Sequence, residues 1–258
     1  MKLQEKVIFI TGAARGLGGT TAKVCAGYGA KIVAVDLNEE LLKQTVAEIK
    51  EAGGDAIYAV VDVTKRDMVK AAVQKAVDTY GRIDCLFNAA GVDRTGGILE
   101  MSDADYDFTM DINVKGTFIC CSEVGKVMAE AGKGRIINTS SIAAVREEAY
   151  NAPYCMSKAA VAMLTRVIAL ELAPKGITSV AIQPGNIETD MLRGSFTERG
   201  AKEGKNVKEY YAEMEATIPM GYIGQPTDIA EVVAFLCDDR SAYIDGNAIL
   251  IAGGKIMA

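Results

Sequence analysis

The chain has 258 residues, no histidine and a net charge of −6, and half of its residues are apolar. A chain of this length forms one large α/β domain or two small ones, and either can bury a substantial core. The acidic balance and the lack of a basic run argue against a nucleic-acid partner or an anionic-membrane surface. No apolar run approaches the ~18 residues that are needed to span a bilayer.

Six cysteines occur without any CxxC pair, and most have apolar neighbours. They are Cys25, Cys85, Cys120, Cys121, Cys155 and Cys237. Since no histidine stands beside them, buried reduced thiols are favoured over a disulfide framework or a zinc site, and we expect no metal. The N-terminal sequence MKLQEKVIFITG is too short and too strand-like for a secretory signal. These features predict a cytoplasmic protein.

Short β-branched runs alternate with amphipathic segments over the whole chain, one of them the helix-like segment 38–52. The predicted strands cover residues 6–12, 31–36, 56–62, 82–88, 134–140, 177–185 and 247–254. Such continuously apolar strands are typical of a parallel sheet that is covered on both faces. The pattern therefore predicts the α/β class, with a doubly wound Rossmann-type parallel sheet of about seven strands in a single domain, 1–258.

The first predicted strand runs into a glycine-rich segment, TGAARGLG. Gly12, Gly16 and Gly18 allow a tight turn, and amide donors at the start of the next helix favour a pyrophosphate. Arg15 and Leu17 belong to the same segment and are candidate cofactor contacts. The spacing is GxxxGxG rather than the GxGxxG fingerprint, so a plain tight turn is the alternative.

Polar and small residues close the next three predicted strands. Asp36 ends the second strand, roughly the ~20 residues downstream where a carboxylate holds the ribose hydroxyls of an adenosine. Further candidates at the carboxyl ends of the third and fourth strands are Asp62, Val63, Asn88, Ala89 and Gly91. Open parallel sheets bind ligands at these ends, where small residues let adenine and ribose approach the backbone. Ordinary turn chemistry is the alternative for Asn88.

The segment YCMSK places Tyr154 four residues before Lys158, so both side chains share one face of a helix. In a chain without histidine, a tyrosine beside an ammonium is a candidate proton carrier. The ammonium, together with the positive ring of an oxidised nicotinamide, is expected to lower the pKa of the tyrosine from ~10. The same pair on an exposed helix would carry no chemistry.

The ordered segments TGAARGLG, NAAG, DINVKG, NTSSIAA, YCMSK and PGNIETD together resemble the short-chain dehydrogenase/reductase family, over nearly the whole chain. The resemblance implies a metal-free, NAD(P)-dependent oxidoreductase that interconverts a carbonyl and an alcohol, usually as a homotetramer. The chain departs from the family at IPMGY, where many relatives have IPLGR, and at IAGG, where VDGG is commoner. Neither position is catalytic.

The resemblance also assigns roles to single residues. Tyr154 is the general acid/base, and Lys158 holds the nicotinamide ribose. Ser141, preferred over Ser140 on spacing, binds the substrate oxygen, and Asn113 joins Lys158 in a proton relay. A buried polar residue that satisfies helix backbone is the alternative for Asn113. The segment that binds the nicotinamide carboxamide contains Pro184, Gly185, Ile187 and Thr189.

The segment 190–217 is a candidate substrate lid. Its basic residues are Arg193, Arg199, Lys202, Lys205 and Lys208. Glutamates balance them, which favours a solvated helical lid over a phosphate site. The residues expected on its apolar underside are Met191, Leu192, Phe196 and Met214.

Two residues point to different cofactors. Asp36 favours NAD, because a 2′-phosphate would bring negative charge against its carboxylate, whereas Arg15 is of the kind that favours NADP. We expect NAD. The predicted substrate is a secondary alcohol or ketone, with a lean towards polyols, vicinal diols or acetoin-like compounds. A 3-oxoacyl-(acyl carrier) reductase, a hydroxysteroid dehydrogenase and a non-catalytic NAD-binding sensor are the alternatives, and the intact Asn–Ser–Tyr–Lys set speaks against the sensor.

The predicted helices near 105–130 and 153–173 carry more apolar residues than one face of a sheet needs. These residues include Phe118, Ile119, Met163, Leu164 and Val167. The family pairs the corresponding helices across a two-fold axis. We therefore expect a homotetramer, with a dimer as the alternative.

Overall fold

The computed structural model describes residues 3–255, and within them seven parallel strands form one sheet. In chain order the strands are β1 (Val7–Thr11), β2 (Lys31–Asp36), β3 (Asp55–Val60), β4 (Cys85–Asn88), β5 (Gly134–Thr139), β6 (Ile177–Pro184) and β7 (Ala248–Ile251). They lie side by side in the order β3-β2-β1-β4-β5-β6-β7. The predicted doubly wound sheet of seven strands is confirmed.

Helices connect these strands. They are α1 (Gly16–Gly27), α2 (Glu39–Glu51), α3 (Arg66–Tyr80), α4 (Asp103–Met110), α5 (Thr117–Ala131), α6 (Ala152–Leu172), α7 (Asp190–Lys202), α8 (Val207–Ala216) and α9 (Pro226–Cys237). The predicted helix 38–52 is α2, and Asn38 caps it by accepting a hydrogen bond from the Leu41 N–H. The predicted strand 82–88 was too long, because β4 begins only at Cys85; of the residues before it, Asp84 still bonds through its backbone to Val7 and Arg135.

Each face of the sheet has its own core. On β1, Ile8 and Ile10 face a cluster that contains residues of α1, α2 and α9, such as Leu42 and Val233. Phe9 belongs to the opposite cluster, which draws on α3, α5 and α6. Because side chains alternate along a strand, one apolar run supplies both cores.

The strand order reverses between β1 and β4, which are paired neighbours. The chain leaves β1 towards β2 and β3 on one side, and then returns to β4 on the other. The crossovers therefore separate at this point and leave a crevice at the carboxyl ends of the strands. The glycine-rich segment after β1 lies at that crevice.

The predicted helix 105–130 is interrupted. A π-helical segment, Asp111–Gly116, separates α4 from α5. Gly116 lies at its end, and a Cβ there would be 2.6 Å from the Cγ2 of Val63. Wide π-helical turns occur at functional sites, and this one carries Asn113.

The segment 190–217 forms α7 and α8, which pack on each other through an apolar cluster. Phe196 and Tyr210 are buried, with ring centroids 5.2 Å apart in an edge-to-face arrangement. Leu192 and Met214 pack against this cluster as expected. Met191 does not, because its side chain is exposed.

Two side chains of α3 form hydrogen bonds with the edge strand β3. The ammonium of Lys75 donates a hydrogen bond to the Tyr58 carbonyl oxygen at 2.8 Å. At the start of the strand, the Tyr80 hydroxyl donates to the Asp55 carboxylate at 2.8 Å. A carbonyl that would otherwise face solvent at the sheet edge is thereby satisfied.

Five of the six cysteines are buried free thiols, and Cys155 is half-buried. Burial raises the pKa of Cys121 to about 12, so this thiol stays protonated near neutral pH. Within residues 3–255, no helix has the length and apolarity that a membrane crossing requires.

Candidate active site

Three glycines turn the first strand directly into α1. Gly12 and Gly16 have left-handed φ values of +66° and +57°, a region that other residues rarely adopt. A Cβ on Gly12 would lie 2.7 Å from the Ala90 nitrogen, and one on Gly18 would lie 2.2 Å from the Gly12 carbonyl oxygen. Two backbone segments therefore pack directly against each other here. Because the glycines carry no side chain, a ligand can also approach this backbone closely.

The start of α1 keeps its first N–H groups available to a ligand. These groups have no acceptor inside a helix, and the side chain of the N-cap residue, Arg15, makes no capping hydrogen bond within the described chain. The guanidinium of Arg15 instead lies 3.3 Å from the carboxylate of Asp190, the first residue of α7. A free helix N-terminus of this kind favours a phosphate.

Asp36 is held in place at the end of β2. Its Oδ2 accepts a hydrogen bond from the Ala14 N–H at 3.2 Å, and its Oδ1 accepts one from the Asn38 N–H at 3.0 Å. Both bonds fix the carboxylate beside the glycine-rich turn. Arg15 and Asp36 do not form an ion pair with each other in this structure, since Arg15 pairs with Asp190.

A cleft of about 780 Å³ runs along the carboxyl ends of the strands, and we refer to it as the long cleft. The predicted site residues that line it are Gly12, Arg15, Gly16, Leu17, Gly18, Asp36, Asp62, Val63, Ala89, Gly91, Tyr154, Lys158 and Thr189. Its free helix N-terminus, its glycine turn and its strand-end carboxylate match the pyrophosphate and ribose of a dinucleotide. The residues present therefore fit this group.

Asp62 is anchored by its own turn. Its Oδ1 accepts hydrogen bonds from the Thr64 N–H at 2.9 Å and from the Thr64 hydroxyl at 2.6 Å. Burial disfavours the charged form, but these bonds outweigh it and hold the pKa of Asp62 below its ordinary value. The carboxylate stays ionised at the rim of the long cleft.

Asn88 is placed differently from its predicted neighbours. Its side chain is buried and donates to Asn138 Oδ1 at 2.9 Å and to Cys121 Sγ at 3.2 Å. Asn138 in turn donates to the Thr165 hydroxyl at 3.0 Å. The network ties β4, β5, α5 and α6 together beneath the cleft, and the Asn88 side chain is not part of the lining.

Ser141 and Tyr154 face each other at a second, smaller cavity. The Ser141 hydroxyl forms a hydrogen bond with Tyr154 and accepts another from the Ala143 N–H at 3.1 Å. Ser140 is occupied elsewhere, because its hydroxyl donates to the Lys158 carbonyl oxygen at 2.8 Å. The hydroxyl of Ser141 is thus beside Tyr154, whereas that of Ser140 is bonded to the backbone of α6.

Lys158 is buried beside Tyr154. Its ammonium donates to the Thr139 carbonyl oxygen at 2.9 Å and lies 5.4 Å from the centre of the Tyr154 ring. Burial lowers the pKa of Lys158 to about 8, and the negative charge of Asp93 opposes the shift. A Cβ on Gly91 would lie 3.4 Å from the Lys158 Nζ, so the glycine leaves the ammonium open to the long cleft.

The pKa of Tyr154 differs from the sequence expectation. Burial raises it above its ordinary value, and the charge of Asp93 raises it further, while the Ser141 hydrogen bond opposes both. The neighbouring ammonium of Lys158 is thus not enough to lower the pKa of Tyr154 in the protein by itself.

Asn113 is buried on the π-helical segment and bridges three elements. Its Oδ1 accepts from the Val92 N–H at 2.8 Å, and its Nδ2 donates to the Val92 carbonyl oxygen at 2.9 Å. Nδ2 also donates to the Ser157 hydroxyl at 3.0 Å. Asn113 therefore fastens the loop after β4 to α6, between Tyr154 and Lys158.

The second cavity has a volume of about 110 Å³, and we refer to it as the small cavity. Predicted residues on its wall are Leu17, Ser141, Tyr154, Pro184, Gly185, Ile187 and Thr189. Tyr154 lines both this cavity and the long cleft. A substrate in the small cavity and a ligand in the long cleft would meet at this tyrosine.

Three charged residues of the small cavity were not predicted as site residues: Asp93, Glu148 and Arg199. Arg199 is only 9% exposed, so the expectation of a solvated basic residue is wrong at this position. Its Nη2 lies 2.9 Å from Glu148 Oε2 and 3.9 Å from Asp93 Oδ2. Only the folded chain brings these partners together, and no motif marks them.

Comparisons with known proteins identify the family of the chain. A family model described as enoyl-(acyl carrier protein) reductase matches residues 12–255. The short-chain reductase protein NovJ of Streptomyces niveus is 40% identical over 252 residues, covering 98% of this chain and 94% of that protein. The chain belongs to the short-chain dehydrogenase/reductase family of oxidoreductases, which use NAD(P).

Two further relatives are similar over nearly their whole length. The 2,5-dichloro-2,5-cyclohexadiene-1,4-diol dehydrogenase LinX of Sphingobium indicum is 37% identical, over 98% of this chain and 97% of that protein. The crystal structure of levodione reductase superposes with a TM-score of 0.94 at 32% identity, covering 98% of both chains.

In the part of the chain that the structure describes, no cluster of metal-ligating side chains occurs.

Proposed function

We propose that the chain interconverts a secondary alcohol and a ketone, with NAD as the hydride carrier and Tyr154 as the general acid/base. The observation that carries the proposal is the position of Tyr154, which lines both the long cleft and the small cavity beside Ser141 and Lys158. In alcohol oxidation the hydride leaves the carbinol carbon and the proton leaves the hydroxyl oxygen on that carbon, so the proton carrier has to stand where both ligands meet.

The long cleft would hold the dinucleotide, which supplies or accepts the hydride when bound. The N-terminus of α1 would bind the pyrophosphate, and Asp36 would accept hydrogen bonds from the adenosine ribose. The wall formed by Asp62, Val63, Ala89 and Gly91 would lie against the adenosine, with Asn88 supporting it from below. Residues 184–189 would hold the nicotinamide carboxamide, and Lys158 its ribose.

The proton would travel through Tyr154. In alcohol oxidation the Tyr154 oxygen accepts the proton of the substrate hydroxyl, while the Ser141 hydroxyl donates a hydrogen bond to the substrate oxygen. Burial and the charge of Asp93 raise the pKa of Tyr154, so its function as a base depends on the positive charges of Lys158 and of an oxidised nicotinamide. Asn113 would keep the relay geometry through its bonds to Val92 and Ser157.

Asp36 supports NAD over NADP. Its carboxylate is fixed by two backbone N–H groups at the end of β2, and a 2′-phosphate there would add about two negative charges beside it. Arg15, the residue that would favour the phosphate, is engaged with Asp190. The same two observations speak against an NADPH-dependent 3-oxoacyl-(acyl carrier) reductase as the alternative function.

The segment 190–217 would serve as the substrate lid, because its helix α7 contributes Met191, Phe196 and Arg199 to the small cavity. The volume of this cavity, about 110 Å³, is below the ~300 Å³ of a pocket for a drug-sized ligand. This supports a small alcohol over a hydroxysteroid. We further propose a cytoplasmic location, which the buried reduced thiols support.

A screen of small secondary alcohols with NAD, following NADH formation, tests the proposal. Turnover that requires Tyr154 is the expected result, so Tyr154→Phe is run in parallel. A chain that binds NAD but oxidises no alcohol, and reduces no ketone with NADH, would be a non-catalytic NAD-binding sensor.

A further inference from the structure

A belt of polar side chains forms part of the wall of the small cavity, and one of them, Asp93, also lines the long cleft. The belt consists of Asp93 after β4, Glu148 and Asn151 before and at the start of α6, Asn186 after β6 and Arg199 on α7. We call these five residues the polar belt. Asn151, Asn186 and Arg199 are buried, and Asp93 and Glu148 are half-buried.

The charges of the polar belt do not favour an anion. Two carboxylates, Asp93 and Glu148, surround the single guanidinium of Arg199. An anionic substrate would have to displace Glu148, 2.9 Å from Arg199, and would then meet both carboxylates in a partly dehydrated space. An uncharged substrate meets no such repulsion.

Several buried polar atoms of the belt lack hydrogen-bond partners within residues 3–255. Two are acceptors, Asp93 Oδ1 and Asn151 Oδ1, and two are donors, Arg199 Nε and Asn186 Nδ2. Leaving such atoms unpaired beside an apolar ligand is unfavourable. The four atoms themselves are closed off from the cavity, but the side chains that carry them form its wall. A hydroxyl group both donates and accepts, so a ligand with several hydroxyls can bond to the carboxylates, amides and guanidinium of this wall.

Within the proposed function, on which this step rests, we infer that the substrate is a small uncharged polyol. One secondary hydroxyl reacts at Tyr154 and Ser141, and at least one neighbouring hydroxyl binds the polar belt. The small volume of the cavity, about 110 Å³, favours a vicinal diol or a cyclitol over a longer chain.

Four compounds with NAD test the inference on the wild-type protein: cyclohexanol, trans-cyclohexane-1,2-diol, myo-inositol and 3-hydroxybutyrate. We expect kcat/KM for the diol or for inositol to exceed that for cyclohexanol and for 3-hydroxybutyrate by at least about tenfold. If cyclohexanol or 3-hydroxybutyrate is oxidised as efficiently, the polyol inference is wrong and the proposed function stands. If neither polyol is oxidised, the inference is wrong as well. Only the broader alcohol and ketone screen decides the proposed function.

Variants of the polar belt test its part in recognition. Asp93→Asn and Glu148→Gln keep the shape of the side chain and remove the charge, and they should lower the diol-to-cyclohexanol ratio of kcat/KM by about tenfold. Glu147→Gln is the matched control, because Glu147 is the exposed neighbour of Glu148 and should leave the ratio unchanged. An unchanged ratio in both belt variants contradicts the inference.

A measurement on the wild type guards against misfolded variants. With NADH bound, where no alcohol can be oxidised, trans-cyclohexane-1,2-diol should raise the melting temperature more than cyclohexanol does at the same concentration. Equal shifts for the two compounds would contradict the polar belt as the binding wall.

Discussion

Arg15 and Asp190 form an ion pair between the N-cap of α1 and the first residue of α7, with Nη1 3.3 Å from Oδ2. Both side chains are about two-thirds exposed, so the pair contributes little to stability. It engages the guanidinium of Arg15 with a carboxylate other than that of Asp36. Arg15, the residue that could bind a 2′-phosphate, is thus paired with Asp190 of the proposed lid.

Cofactor preference should follow Asp36. We expect kcat/KM with NAD to exceed that with NADP by at least tenfold, roughly 1.4 kcal/mol. Asp36→Ala should shrink the ratio, because the negative charge at the ribose is lost, whereas Arg15→Ala should change it little. Steady-state kinetics with both cofactors measure the ratio, and equal efficiency in the unmutated protein would contradict the assignment.

Tyr154→Phe should abolish turnover and leave dinucleotide binding largely intact. The ring and its packing remain, and only the oxygen that carries the proton is removed. We expect kcat to fall by ~10²-fold or more, the usual effect of losing a positioned acid/base. Calorimetric titration with NADH tests binding separately. Tyr150→Phe, at an exposed tyrosine nearby, is the control and should keep its activity; a near-normal kcat in Tyr154→Phe would refute the mechanism.

Lys158 should lower stability at neutral pH. Its pKa falls from 10.5 to about 8 in the folded chain, which corresponds to about 3 kcal/mol. Below pH 8 the lysine is charged in both states, so the folded state bears this full cost. Lys158→Met removes it, and loses about 1 kcal/mol with the hydrogen bond to Thr139. We expect the variant to be more stable by about 2 kcal/mol near neutral pH.

The advantage of Lys158→Met should disappear as the pH rises. Between pH 8 and 10.5 the folded wild type has released the proton and the unfolded chain has not, so wild-type stability rises with pH in this window. Urea unfolding of both proteins at the two ends of the window measures the difference. Lys208→Met, at an exposed lysine, controls for the loss of charge. A pH-independent difference between wild type and Lys158→Met would show that the buried ammonium carries no such cost.

Two glycines of α1 should respond oppositely to alanine. A Cβ on Gly18 would lie 2.2 Å from the Gly12 carbonyl oxygen, whereas one on Gly27 meets no atom within 4 Å. Gly18→Ala should lower the free energy of unfolding by about 1–3 kcal/mol and weaken NADH binding. Gly27→Ala should raise it by up to about 0.5–1 kcal/mol, because alanine loses less backbone entropy in a helix. Chemical denaturation compares the two, and similar effects at both positions would contradict this reading of the turn.

The outer face of α5 and α6 should form the contact of a tetramer. Phe118, Met163 and Leu170 are 49%, 56% and 82% exposed. Exposed large apolar side chains that group together mark interaction surfaces. Ile119, which the sequence analysis placed on this face, is buried in the chain's own core. Light scattering should give a tetrameric mass at micromolar concentration, and Leu170→Glu should reduce it. A monomeric mass for the wild type would remove this prediction.

The sequence predicts the parts of the fold that depend on local pattern. The strand 31–36 coincides with β2, because an unbroken apolar run ends at Asp36 and the cap residue Asn38 starts the next helix. The π-helical segment 111–116 was not predicted, since hydrophobic periodicity averages over several turns and does not detect one wide turn.

The site follows the same division. Tyr154, Lys158 and Ser141 belong to motifs whose spacing places them near the carboxyl ends of the strands. Arg199 lies in the charged segment 190–217. Because basic and acidic residues balance in this segment, the sequence predicts that the Arg199 side chain is exposed to solvent. Its burial depends on Glu148, some fifty residues earlier, and such a pairing appears only when the chain is folded.

The ammonium of Lys75 on the Tyr58 carbonyl oxygen affects how copies of the chain can associate. An open strand edge is a template on which another chain can add a strand, and a lysine that occupies it blocks that route to aggregation. On the β3 side the sheet therefore ends with its own chain. The predicted association through α5 and α6 would then use side-chain faces rather than strand pairing at this edge, and side-chain contacts related by symmetry can close into an assembly of fixed size.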